Sequence, residues 1–157
     1  MIELCVRELR EHDISFVASV YDENIEGLHG AAISLYEWEK CLLNEPDPDE
    51  ANFIIVFSGE NAAWLKLNCM SNDIIYVSML VVAKKYQRMG IGSFALKFAE
   101  CLAVKNRKAA VRVRTTIDNK AAKNCYLRHG FRIIENIRYA VGDGMSRDGY
   151  HFEKEII

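Results

Sequence analysis

The sequence predicts an α+β fold: a mixed, mostly antiparallel central sheet flanked by helices, in the order β-α-α-β-β-β-α-β-α-β-β. Three observations carry this expectation. The apolar run from Ile74 to Val82 reads as a buried central strand. It is followed by a basic glycine loop, Gln87-Arg88-Met89-Gly90-Ile91-Gly92, that opens a segment of helical periodicity, so a βαβ crossover surrounds the loop. Short apolar runs bounded by turn residues lie on either side.

The elements follow in order. Leu4 to Leu9 reads as the first strand, and Glu11 to Leu28 and Ala31 to Leu43 as helices separated by a break at Gly27 to Gly30. An acidic loop, Asn44 to Glu50, holds both prolines, Pro46 and Pro48. Phe53 to Phe57 and Ala62 to Asn68 are strands joined by the turn Ser58-Gly59-Glu60-Asn61. Ser71-Asn72-Asp73 turns into the strand Ile74 to Val82. The helix Gly90 to Lys105 places Ile91, Phe94, Ala95, Phe98 and Leu102 on one face. Val111 to Thr115 is a strand, and Asn119 to His129 is a helix closed by Gly130. Phe131 to Val141 and Tyr150 to Ile156 are the last strands, around a loop from Gly142 to Gly149.

A chain of 157 residues, 50% hydrophobic, suits one domain covering residues 1–157. No apolar run is long enough for a membrane span, and Glu3, Arg7 and Glu8 stand where a signal peptide would be apolar, which reads as cytoplasmic. The five cysteines (Cys5, Cys41, Cys69, Cys101, Cys125) are scattered without a CxxC spacing. They read as small buried hydrophobes, with no metal site expected. Residues 1–80 carry 4 Lys/Arg against 15 Asp/Glu, and residues 81–157 carry 16 against 7. An acidic first half that formed a substrate cleft would favour a cationic substrate. The pI near 6.1 and the lack of a reading helix argue against nucleic acid.

A strand, a glycine loop and a helix start form an anion-binding device. The first amides of a helix have no intrahelical partner, the dipole favours negative charge there, and glycine lets a phosphate approach the main chain. Gly90-x-Gly92-x-x-Ala95, with Asp118 downstream, formally matches a dinucleotide fingerprint. The context opposes it, because residues 83–89 separate the strand from the first glycine and too little chain follows for a doubly wound sheet. A P-loop fails for want of a Lys-Ser/Thr pair.

A second cluster is Asn119-x-x-Ala122-x-x-x-Tyr126-x-x-x-Gly130-Phe131, with Ala122, Tyr126 and Gly130 at i, i+4 and i+8. Together the two clusters resemble the GCN5-related N-acetyltransferase (GNAT) family and its acyl-CoA N-acyltransferase fold. That family's pattern Gln/Arg-x-x-Gly-x-Gly/Ala is matched by Gln87, Gly90 and Gly92, and its lead-in by Val82 and Tyr86. The later pattern is matched by Asn119, Ala122, Tyr126, Gly130 and Phe131. The match is strong from about Ile74 to Phe131, whereas residues 10–50 carry no signature. Met89 and Asn124 depart from the residues common at their positions.

The resemblance implies direct transfer of an acetyl group from acetyl-CoA to a primary amine, without a metal. Amides of Arg88, Met89, Gly90, Ile91, Gly92 and Ser93 would hold the pyrophosphate, with Gln87 and Asn119 beside them. Leu80, Val81 and Val82 would pair with the pantetheine as an added strand and polarise the thioester carbonyl. Tyr126 is the candidate general acid for the departing thiolate. A covalent route through Cys125 is the competing mechanism, disfavoured because adjacent helical residues point about 100° apart. The general base stays open among Glu37, Glu39, Glu60, Asp73 and water near Ser78, and Tyr36 or Trp38 could line an acceptor pocket. The acceptor amine and any homodimer are unspecified by the sequence. A catalytically silent acyl-CoA sensor is the alternative reading, with a dinucleotide-binding protein behind it.

Overall fold

A computed structural model describes residues 3–68 and 71–156; Cys69, one of the five cysteines, lies outside them. The strands are β1 (Leu4–Glu8), β2 (Ala51–Phe57), β3 (Glu60–Asn68), β4 (Ile74–Val82), β5 (Ala110–Thr116), β6 (Arg132–Ala140) and β7 (Ser146–Glu155). The helices are α1 (Ile14–Glu23), α2 (Leu35–Glu39), α3 (Ile91–Lys105) and α4 (Lys120–Arg128). One sheet forms in the order β1-β2-β3-β4-β5-β7-β6. Among the described residues only β4 and β5 run parallel, because α3 carries the chain back between them.

Side chains alternate across the sheet, and helices cover each set of inward residues. On one face Ile75, Val77, Val111, Val113 and Phe152 pack against Ile91, Ala95, Leu96, Ala99 and Ala103 of α3 and Tyr126 of α4. Alanines fill the centre of the α3 face, while Phe94, Phe98 and Leu102 pack around it partly buried. On the other face Ile54, Trp64 and Val81 meet Val17, Val20 and Tyr21 of α1 and Trp38 and Leu42 beyond it. Trp38 stands edge-on between Tyr21 and Trp64, with ring centroids 5.1 and 5.4 Å away.

Four expectations change. The first helix is ten residues, preceded by a 3₁₀ turn at Glu11–Asp13. It stops at Asn24, whose amide donates to the carbonyls of Val20 (2.8 Å) and of Val82 in β4 (3.2 Å), so the turn is held by a distant strand. The second helix begins only at Leu35, capped by Ser34, and continues as a π turn, Lys40–Asn44. The preceding residues 30–34 form no helix, and Tyr21 Oη donates to the Ala31 carbonyl there at 2.8 Å. Residues 146–149 belong to β7 rather than to a loop. Gly149 looked like a loop residue; a Cβ there would lie 2.5 Å from the Thr115 carbonyl oxygen and 2.8 Å from the Tyr139 ring. It marks a close approach within a sheet, not a turn. Finally, Cys5, Cys41 and Cys101 are exposed and Cys125 is half-buried, so they are not the buried hydrophobes expected.

The turn Ser58-Gly59 behaves as its residues suggest. Both have positive φ (46° and 86°), the geometry whose twist matches an antiparallel hairpin. No helix among the described residues is long and apolar enough to cross a membrane.

Candidate active site

The site is made by two strands parting. β4 and β5 pair from Ile74↔Ala110 to Val77↔Val113 and then diverge. At the same level β4 carries an extra residue, Ser78, because Leu67 faces Val77 while Lys66 faces Met79. The Val82 carbonyl points into the gap, where Asn24 and the Gln87 amide (3.0 Å) donate to it. Ala83 N–H instead bonds back to Ala62 of β3. By strand alternation, the N–H and C=O groups of Leu80 also face the gap. The Val82 carbonyl is thus already filled by two donors, whereas the groups of Leu80 present a strand edge open to a guest.

A cavity of about 710 Å³ runs from this open edge to the start of α3. Gly90 is the N-cap of α3 at φ 82°, and Arg88 before it also has positive φ (64°), so the loop curls its amides inward. The first intrahelical bond across the cap is Phe94 N–H to the Gly90 carbonyl (3.0 Å), which leaves the amides of Ile91, Gly92 and Ser93 ahead of it. A Cβ on Gly92 would meet nothing within 4 Å, so protein packing does not demand glycine there. The space in front of it is the cavity. Arg88 and Arg128 add positive charge at its wall.

Of the residues singled out from the sequence, Leu80, Val81, Val82, Gln87, Arg88, Gly90, Ile91, Gly92, Ser93 and Asn119 line this cavity. Met89 does not, and is 53% exposed. The Gln87 side chain is engaged with Asn24 Oδ1 (3.0 Å) and the Val82 carbonyl, so it holds the loop against α1. Asn119 Oδ1 caps α4 by accepting from Ala122 N–H (3.1 Å). Ser93 Oγ contacts His129 Nε2 at 2.8 Å and ties the start of α3 to the end of α4.

Tyr126 is placed differently from its expected aspect. Ala121, Cys125 and Arg128 form the α4 wall, while Tyr126 sits one position round, edge-on to Phe152 at 5.2 Å. Burial, with Cys125 and Tyr139 adding to it, raises its pKa far above the ordinary phenol value, so the hydroxyl stays protonated. That hydroxyl has no hydrogen-bond partner among the described residues, yet is not a fully enclosed atom. Burial also raises the Cys125 thiol, which makes it a poor nucleophile.

A second cavity, about 280 Å³, opens where the strands part and is lined by Asn68, Tyr76, Val77, Ser78, Arg114 and His151. Tyr76, Arg114 and His151 alternate with Val77, Val113 and Phe152, so they project from the sheet face opposite α3. His151 Nε2 lies 3.4 Å from the Tyr76 hydroxyl, and its Nδ1 lies 3.4 Å from Glu135 Oε2. The Ser78 hydroxyl donates to Asn68 Oδ1. Among the described residues no Asp or Glu lines this cavity. Glu37, Glu39, Glu60, Asp73, Tyr36 and Trp38 line neither cavity; Tyr36 is 70% exposed and Trp38 is core. Sequence reasoning singled out neither Tyr76, Arg114 nor His151, and no local motif marks them. They meet only through the β4–β5–β7 register.

A strand edge opened beside a helix start with unpaired amides offers a guest both a ladder of backbone groups and a seat for an anion. The chain belongs to the acetyltransferase (GNAT) family, whose model matches residues 4–131. It is similar to a streptothricin acetyltransferase of Escherichia coli, 24% identical over 121 residues, 74% of this chain and 70% of the relative. Among solved structures it resembles a spermidine N-acetyltransferase from Vibrio cholerae crystallised with CoA and spermine (TM-score 0.84, 18% identity, 98% of this chain and 95% of that one). It also resembles the ribosomal-protein-S18-alanine N-acetyltransferase from Escherichia coli (TM-score 0.76, 20% identity, 98% and 94%). These distant structural likenesses speak to the fold.

Proposed function

We propose that the protein is a cytoplasmic acetyl-CoA-dependent N-acetyltransferase that moves the acetyl group directly to a primary amine. The observation that carries this reading is the 710 Å³ cavity joining the open edge of β4 to the glycine-loop amides. Pantetheine pairs with the edge at Leu80 and at the Val82 N–H, and the pyrophosphate sits on the amides of residues 88–93.

The chemistry runs through the gap. The incoming ammonium sits in the second cavity and loses a proton to the Tyr76 hydroxyl, whose own proton passes to His151 Nε2. That transfer requires the tautomer in which Nδ1–H is donated to Glu135. The free amine attacks the acetyl carbon, forming the C–N bond, and gap-facing amides of β4 hold the oxyanion. The C–S bond then breaks, and the CoA thiolate takes a proton from the neutral Tyr126 phenol.

Acetyl-CoA is expected to raise the melting temperature, since a ligand selective for the native state stabilises it. Gly92→Asp should abolish that rise without unfolding the protein, because the new side chain enters open space and opposes a phosphate. Stabilisation by NAD and not by acetyl-CoA would overturn the reading. Binding without turnover on any amine would favour the silent sensor.

A further inference from the structure

We propose that Arg114 reads an anionic group on the acceptor, so that the acetylated amine belongs to a small, amino-acid-like molecule carrying a carboxylate or phosphate near its nitrogen. This rests on the acetyltransferase reading of the same site.

The acceptor-side cavity offers one cation that no carboxylate neutralises. Arg112, Arg132, Arg138 and Arg147, also on β5, β6 and β7, each hold a carboxylate at 2.7–3.1 Å. His151 faces Glu135. Arg114 has no carboxylate partner among the described residues; its guanidinium lies 4.3 Å from the centroid of the Tyr139 ring. The ring contact seats the guanidinium, and no hydrogen bond or ion pair takes its N–H donors among the described residues, which leaves them available to a bidentate oxyanion. Tyr139 is itself seated over Gly149, so the platform is built into the sheet.

Position links this cation to the chemistry. Arg114 and His151 are register partners on β5 and β7 and share one face. Cα atoms so paired lie about 5 Å apart. An anion on Arg114 therefore leaves an amine a few bonds away beside Tyr76 and His151. Ser78, in this cavity, and Leu80, in the cofactor cavity, are about 7 Å apart along β4. A volume of 280 Å³ is at the small end for ligand pockets. A polyamine would place like charge against Arg114 with no carboxylate in the lining to offset it. The acidic first half of the chain thus does not set the charge of this pocket.

The test is acetyl-CoA turnover with the twenty amino acids, their α-amides, 2-aminoethyl phosphate and spermidine. At least one amino acid or the aminophosphate should exceed its neutral counterpart, and spermidine, in kcat/KM. Arg114→Gln should cut the ratio of acid to amide by roughly 10–100-fold, as for a lost charge-assisted pair. Arg114→Lys should restore part of it. A lead for 2-aminoethyl phosphate over the carboxylates assigns the anion as phosphate, and the reverse assigns carboxylate; both support the proposal. Amides or spermidine used as well as acids, or a ratio unmoved by Arg114→Gln, overturns it. So does a lack of turnover with every anionic amine while acetyl-CoA still binds, an outcome that leaves the cofactor reading standing. Failure to bind acetyl-CoA sinks the underlying reading instead.

Discussion

Tyr126 and Cys125 are neighbours on α4 with opposite surroundings. Cys125 lines the larger cavity, whereas Tyr126 packs edge-on to Phe152 of β7. The raised pKa of each keeps it protonated at neutral pH, which suits a proton donor and not a nucleophile. Tyr126→Phe is expected to lower kcat by about 10–1,000-fold, near the range supplied by general acids, with acetyl-CoA affinity little changed. Cys125→Ala should cost much less; an acetylated Cys125 trapped during turnover would instead revive the covalent route. His151 answers to a different readout. If it takes the ammonium proton through Tyr76, His151→Gln should lower kcat about 10–1,000-fold while acetyl-CoA affinity stays unchanged, with Tyr76, Arg114 and Glu135 still in place around it. An unchanged kcat would exclude His151 from proton transfer.

At the scale of elements, the site depends on what β4, β5 and β7 do to one another. The parting of β4 from β5 after Val77 and the extra residue at Ser78 create both cavities. The β5–β7 register then brings His151 and Arg114 to one of them. Gly149 is where this arrangement is tightest. Gly149→Ala would force a methyl against the Thr115 carbonyl, which is backbone and cannot swing away. A loss of roughly 1–3 kcal/mol is expected, read by chemical denaturation, from overpacking. The displaced Tyr139 should also raise KM for the acceptor more than KM for acetyl-CoA. Equal changes in both KM values would show that the platform does not serve the acceptor pocket.

Across the whole molecule, the first strands and first helix are locked by one buried charge. Asp13 is fully buried and accepts two bonds from the Arg7 guanidinium, both at 2.7 Å. The Arg10 amide (2.8 Å) and the Asn61 carboxamide (3.2 Å) also donate to it, and His12 Nε2 lies 3.6 Å away, so β1, α1 and β3 meet there. The Arg7 hydrogen bonds hold its pKa down to about 2. A carboxyl lower in the folded than in the unfolded state gives stability that is full above about pH 4 and lost as pH falls towards 2. Asp13→Asn should cost about 2–3 kcal/mol at pH 7 and flatten the acid limb between pH 4 and 2 in thermal melts. A mutant melting curve that shifts with acid as the parent's does would reject this. The charge asymmetry of the chain likewise becomes spatial, since the acidic half builds β1–β4, α1 and α2 and the basic half builds the rest. Local pattern sufficed for β4, the glycine loop, α3 and the α4 cap. There each signal — an apolar run, a positive-φ glycine, helical spacing, an Asn at the N-cap — acts within a few residues of itself. What the sequence determined alone was therefore the order of elements and the positive-φ helix start at Gly90. The tertiary structure decided where α1 stops, that Gly149 is strand and not loop, that Cys125 rather than Tyr126 walls the larger cavity, and that Tyr76, Arg114 and His151 share a pocket. Those outcomes follow from strand register and close approach between segments far apart in the chain, and no local spacing encodes such contacts.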